Sequence, residues 1–155
     1  MEKNSPDTRD TMSTILYIHG FNSDGEGWKA DALRRQFPQA NVLAPDLPPN
    51  PEEVIAILAD IAQEAGASLL AIGTSLGGFY ARYLSARFGC PTWLFNPSIT
   101  PDLTLDSRGI GQFYTWTKKR PYLFKREYLA ALHTLRAYAD LHQNPALLRF
   151  FSYRR

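Results

Sequence analysis

At 155 residues, 45% of them hydrophobic and 21% charged, the chain is long enough to bury one substantial core and has an ordinary globular composition. A net charge of +2 is too small to imply nucleic acid or an anionic membrane as partner, and no apolar run approaches the ~18 residues of a membrane span. The single Cys90 excludes an internal disulfide and, with no basic-then-apolar leader in view, points to the cytoplasm.

Residues 1–11 (MEKNSPDTRDT) carry no apolar periodicity and are expected to form a disordered tail. Met12 can equally be the original start, and one domain is expected over 12–155. Thr14–Ile18 (TILYI) predicts a buried strand that stops at His19-Gly20. After the loop His19–Gly27, residues Trp28 to Phe37 read as a helix with Trp28, Ala32 and the Arg35 stem on one face. Asn41–Ala44 predicts a second strand, closed by PDLPPNP. Asn50-Pro51-Glu52-Glu53 then announces a helix: Asn50 can cap, Pro51 suits the first turn and Glu53 can bond back to the cap. Val54, Leu58, Ile61 and Ala65 follow at helical spacing, and Gly66 ends the element.

Ser68–Ile72 (SLLAI) predicts a third strand, followed at once by a glycine-rich turn and a helix to about Phe88. Thr92–Phe95 (TWLF) is a fourth, ending at Asn96-Pro97. The stretch 98–126, rich in aromatic and basic groups, reads as an irregular, cap-like insertion. Glu127–His142 predicts a helix with Leu129, Leu132, Leu135 and Tyr138 on one face, and Ala146–Tyr153 a fifth strand. Strands alternating with helices imply right-handed βαβ units and a parallel sheet covered on both faces. The expected architecture is α/β, with five mostly parallel strands in the order 2-1-3-4-5 and active-site loops at the carboxyl ends of strands one and three.

The turn after the third strand is Gly73-Thr74-Ser75-Leu76-Gly77, a Gly-x-Ser-x-Gly nucleophile elbow of the α/β-hydrolase type. A free serine hydroxyl is a poor nucleophile, and exposure, a base and a stabilised oxyanion improve it. The elbow supplies exposure: the strand-to-helix turn is so tight that the flanking positions must lack bulk, which Gly73 and Gly77 do. The helix beginning at Leu76 aims its free amides at the same place. An oxyanion hole in this fold takes one backbone N–H after the nucleophile and one from the loop after the first strand, which assigns the amides of Leu76 and Phe21. His19 and Gly20 support that loop. His19 precedes the nucleophile, whereas this fold takes its histidine from after the last strand, so its role is read as holding the loop by hydrogen bonds.

Ile15-Leu-Tyr-Ile-His-Gly-Phe-Asn-Ser23, Pro45-Asp-Leu-Pro-Pro49, Gly73-Thr-Ser-Leu-Gly-Gly-Phe-Tyr-Ala81 and Asn96-Pro97 together resemble the YqiA-type esterases, small bacterial α/β-hydrolases. The resemblance runs in order from about Met12 to the fifth strand. It implies hydrolysis of small carboxylic esters or thioesters by a Ser-Asp-His triad, with no metal or organic cofactor. In that family the aspartate follows the fifth strand in a Gly-Asp-Glu-type motif, and the histidine follows the sixth in an Asn-His-type motif. Neither motif is found here, and the chain is expected to be a C-terminally truncated member lacking the last strand and helix.

After Ser75 the chain offers Asp102, Asp106 and Asp140, with His133 and His142. The order serine, acid, base is formally met by Asp102 or Asp106 with either histidine, but a helix packed on the sheet would carry both imidazoles on its flank. Lys118–Arg126 mixes basic and aromatic groups and is read as a solvated cap segment rather than a nucleic-acid site. Tyr114, Trp116, Tyr122 and Phe124 either line an acyl pocket or pack the cap onto the domain. Asp24 and Glu26 have no evident task, and no His/Cys cluster suggests a metal. Two readings follow: a serine esterase or thioesterase whose triad is incomplete or unconventionally completed, or a non-catalytic α/β-hydrolase-like domain that binds an acyl ligand or a partner, or is an inactive truncated gene product. A sheet edge exposed beside the fifth strand invites self-association.

Overall fold

Long apolar runs interrupted by Gly, Pro and Asn set the order of elements, which the computed structural model describes for residues 13–152. The expected tail over 1–11 and the end of the fifth predicted strand lie outside the described residues. In chain order the elements are β1 (Thr14–Ile18), α1 (Trp28–Gln36), β2 (Asn41–Leu43), α2 (Pro51–Ala65), β3 (Leu69–Thr74), α3 (Leu76–Phe88) and β4 (Thr92–Phe95). They continue with α4 (Pro101–Arg108), β5 (Gly111–Tyr114), β6 (Pro121–Phe124), α5 (Tyr128–His142) and β7 (Leu148–Phe151). The main sheet has the order β2-β1-β3-β4-β7, and all four of its pairings are parallel. This is the α/β arrangement expected, with β7 in the place of the fifth strand.

Because successive side chains on a strand point to opposite faces, a parallel sheet covered on both sides needs apolar residues at every position. Leu16, Ile18, Leu69, Ala71 and Leu94 face one core with Leu58 of α2, Phe79 and Leu84 of α3 and Leu132 of α5. Their neighbours Ile15, Tyr17, Leu70 and Ile72 face the other, with Ala30 of α1 and Val42. The α1 face differs from the one expected. Trp28 is 75% exposed, and the helix instead buries Ala30, with Leu33 and Phe37 packed beside it. A small residue at the contact lets a short helix lie close against the sheet.

The stretch 98–126 is not irregular. Pro101 opens α4, where its missing N–H costs nothing. β5 and β6 then form an antiparallel hairpin in the register Phe113↔Tyr122. The four aromatic candidates separate: Tyr122 and Phe124 are buried, while Tyr114 and Trp116 lie open to solvent. At α2 the Asn50 side chain accepts a hydrogen bond from the Glu52 N–H at 3.0 Å. Among the described residues β7 is an edge strand, with Phe151 stacked on Phe95 (4.7 Å between centroids) and Phe150 largely exposed.

Candidate active site

β3 is the central strand of the sheet, and its last residues run straight into the turn that carries Ser75. Ser75 stands at φ 50°, ψ −119°, a conformation that a residue with a side chain rarely adopts and that persists only where surroundings over-determine it. The surroundings here do so. The Ser75 N–H donates to the Phe95 carbonyl at 3.1 Å, and the Ser75 carbonyl accepts from Gly78 N (3.0 Å), Phe79 N (3.3 Å) and Ser98 N (2.9 Å). The two elbow glycines are demanded by clearance. A Cβ on Gly73 would stand 2.2 Å from the Gly77 carbonyl oxygen, and one on Gly77 only 1.9 Å from that of Ile18. The helix therefore begins in direct contact with the end of β1.

That contact brings the loop after β1 to the serine. A Cβ on Gly20 would lie 3.4 Å from the Ser75 Cβ, so Gly20, with Phe21 next to it, borders Ser75. Leu76 is the first residue of α3, and a first-turn amide has no acceptor within its own helix. His19 is 3% exposed, and both of its ring nitrogens are committed. Nε2 accepts from the Leu47 N–H at 2.9 Å, which leaves Nδ1 as the protonated nitrogen, donating to the Gly20 carbonyl at 2.8 Å. Burial, reinforced by the nearby Arg120, holds its pKa below the ordinary histidine value against the opposing pull of the Gly20 carbonyl. The ring is thus a neutral brace between the loops that follow β1 and β2.

Asp24, which had no evident task in the sequence, is the most connected carboxylate of the region. Its side chain is 1% exposed and accepts from Arg120 Nε at 2.8 Å, Lys118 N at 2.9 Å and Thr117 N at 3.3 Å. Burial alone pushes the carboxyl up, but the Lys118 amide, the Arg120 and Thr115 side chains and the Arg120 charge outweigh it and bring it down to about 2. No local pattern announces this role, because every partner lies more than ninety residues away along the chain.

The acids and imidazoles after Ser75 are engaged elsewhere. Asp102 is buried at the start of α4, accepts from Arg136 Nε and Nη2 at 2.8 Å each, and meets His133 Nδ1 at 3.2 Å. The Arg136 guanidinium holds its carboxyl below the usual range. The formal Asp102–His133 pair therefore exists, but its imidazole is largely exposed. His142 rests against the Tyr138 ring, Asp106 pairs with Arg126, and Asp140 with Arg82. Among the described residues none of these side chains hydrogen-bonds the Ser75 hydroxyl. A cleft of about 380 Å³ between α2 and α5, lined by residues such as Ile55, Ala131 and Leu135, does not include Ser75. Among the described residues no cluster of His, Cys, Asp or Glu is arranged to hold a metal, and no helix is long and apolar enough to cross a membrane.

A family model described as an uncharacterised protein family, UPF0227, matches residues 14–149, a span that includes the elbow, the loop after β1 and the hairpin. The chain belongs to the UPF0227 family. A UPF0227 protein of Vibrio cholerae serotype O1 (strain ATCC 39315 / El Tor Inaba N16961) is 30% identical over an alignment of 103 residues that covers 61% of this chain and 56% of that protein. The chain thus spans little more than half the length of the curated UPF0227 relatives it matches. Among solved structures it resembles Est1E of Butyrivibrio proteoclasticus, solved with ferulic acid bound, at a TM-score of 0.61 and 14% identity, covering 99% of this chain and 82% of the other. It also resembles the structure reported for LipS and LipT, metagenome-derived lipolytic enzymes, at a TM-score of 0.60 and 16% identity, covering 93% and 73%. This UPF0227 chain has the α/β-hydrolase fold.

Proposed function

We propose that the chain carries the nucleophile and oxyanion machinery of a serine-dependent hydrolase acting on small carboxylic esters or thioesters. The observation that carries this reading is the Ser75 backbone, held at positive φ by four hydrogen bonds at the joint of the central strand and α3. A strained residue fixed at a strand-to-helix joint is what exposing a nucleophile calls for, and that supports this reading. In this reading the Ser75 oxygen bonds to the acyl carbon, and the carbonyl π electrons move onto an oxyanion that receives the Phe21 and Leu76 N–H groups. Collapse of that adduct expels the alkoxide or thiolate, which takes up the proton lost by the serine, and water then releases the acid. That Est1E was solved with ferulic acid, and that LipS and LipT are lipolytic, agrees with acyl chemistry on this fold. Preference between esters and thioesters would follow from the acyl and leaving-group contacts.

A second reading, a non-catalytic domain that binds an acyl ligand, or a partner through the β7 edge, is favoured by one observation. Both nitrogens of the imidazole nearest the loop, His19, are already used. Fluorophosphonate labelling and p-nitrophenyl butyrate turnover, each with Ser75→Ala as control, separate the two. Labelling and turnover that vanish in Ser75→Ala are expected. Wild type indistinguishable from Ser75→Ala in both assays would refute the hydrolase.

A further inference from the structure

The loop after β1 is held residue by residue from one side, and the holder is the β5–β6 hairpin. The Phe21 ring sits edge-on to three hairpin rings, with centroids 5.5 Å from Phe113, 5.0 Å from Tyr122 and 5.5 Å from Phe124. Asn22, between Phe21 and Ser23, stands at φ 53°. The Ser23 carbonyl accepts from one arm of Arg120 at 3.0 Å, and Asp24 takes the Nε of the same guanidinium. Gly25 N donates to Asp46 at 2.8 Å, and the other oxygen of Asp46 takes Lys118 Nζ at 2.7 Å. Phe21, Ser23 and Asp24 thus find partners on the hairpin, and Gly25 finds one a side chain removed from it.

Arg120 is itself fixed. Its backbone N–H donates to the fully buried Thr115 hydroxyl at 3.0 Å, and its carbonyl accepts from the Thr115 N–H at 2.9 Å. A guanidinium is a planar fork, so anchoring its stem sets where both arms point. The arms end on Ser23 and Asp24, two and three residues past Phe21.

We propose that Arg120 is the positioning residue of the loop that presents the Phe21 N–H, and that the hairpin is a fixed template for that loop rather than a lid over it. The inference rests on the reading of Phe21 as an oxyanion donor. A connecting loop on its own is mobile, whereas an oxyanion donor acts only within a few tenths of an ångström of its place. The hairpin removes that mobility by coupling the loop to the core through Tyr122 and Phe124.

The test compares the full chain as wild type, Arg120→Ala and Arg120→Lys, by hydrogen exchange and by p-nitrophenyl butyrate kinetics. In Arg120→Ala, exchange in a peptide spanning residues 19–25 is expected to rise about tenfold or more, while one spanning 73–79 keeps its wild-type rate. kcat is expected to fall ~10²-fold, as for a misplaced oxyanion donor, with KM changed less than about threefold. Arg120→Lys, which keeps the charge without the fork, recovers only part of each effect. If Arg120→Ala does not fold, the pair Asp24→Asn with Arg120→Gln leaves no unpaired buried charge, and the same pattern is expected of it. Unchanged exchange over 19–25 overturns the proposal, and so does raised exchange with unchanged kcat. A wild type that neither turns over nor labels removes the hydrolase reading instead. The exchange result alone then decides whether Arg120 holds the loop.

Discussion

Replacing Asp24 with Asn tests the electrostatic account of the clamp through its pH dependence. The carboxyl moves from an ordinary 3.8 to about 2 on folding, and its side chain is 1% exposed, so solvent screening does little to dilute the effect. A carboxyl whose pKa falls on folding adds stability at pH values above its unfolded pKa, and that stability disappears as pH drops through the folded value. At about 1.4 kcal/mol for each tenfold change in proton affinity, the contribution is on the order of 2–3 kcal/mol at neutral pH. It falls to roughly half of that near pH 3 and is mostly gone by pH 2. Asp24→Asn keeps shape and one acceptor but removes the charge, so the wild-type advantage follows this curve. For a domain of this size the neutral-pH gap corresponds to about 5–10 °C in Tm. Urea or thermal unfolding of both proteins from pH 7 to pH 2 reads it directly. Asp102 and Glu26, also held below their usual range, titrate in both proteins and cancel from the difference, whereas Asp46 shares Arg120 with Asp24 and is coupled to it. Two stability curves that run parallel across pH 4 to 2 would refute the assignment of Asp24 as a charge bound in the native state.

Two further outcomes follow from clearance and hydrogen bonding. Gly77→Ala places a methyl 1.9 Å from the Ile18 oxygen, and the β1–α3 joint must open by more than an ångström to admit it. A loss of about 3 kcal/mol or more, read as a lower urea midpoint, is expected together with loss of fluorophosphonate labelling. His19→Ala strands the Leu47 N–H in a buried site and is expected to cost about 2–4 kcal/mol, whereas His133→Ala, on an exposed ring, should change Tm by no more than 1–2 °C, an effect of about 0.5 kcal/mol.

The main sheet was legible because its evidence is local. TILYI, SLLAI and TWLF are short apolar runs, each ended by a turn residue, and Asn50-Pro51 marks a helix start that the Asn50 cap reproduces. The hairpin was not read, although Tyr122-Leu123-Phe124 alternates buried, exposed and buried and Pro101 opens α4 much as Pro51 opens α2. Its turn carries no Asn-Gly or Asp-Gly signal, and the positive φ falls on Lys119. On α1 the tryptophan drew the apolar face toward Trp28, where bulk misled: a close helix–sheet contact selects the small Ala30. Around the serine, the glycines follow from one five-residue pattern, but Asp24, Thr115 and Arg120 belong together only once two distant loops have met. No spacing rule connects them.

The interactions that hold Ser75 at positive φ have a consequence for the order of folding. The Phe95 carbonyl comes from β4, the Ser98 amide from the turn beyond it, and the Gly77 contact from the end of β1. None of these partners is near Ser75 until three strands have assembled in register. In the unfolded chain the serine is free to relax into an ordinary conformation; the bonds from Gly78 and Phe79 form with α3, and the rest of the restraint comes from long-range pairing. The conformation of Ser75 is thus a property of β1, β3 and β4 assembled together, not of α3 alone.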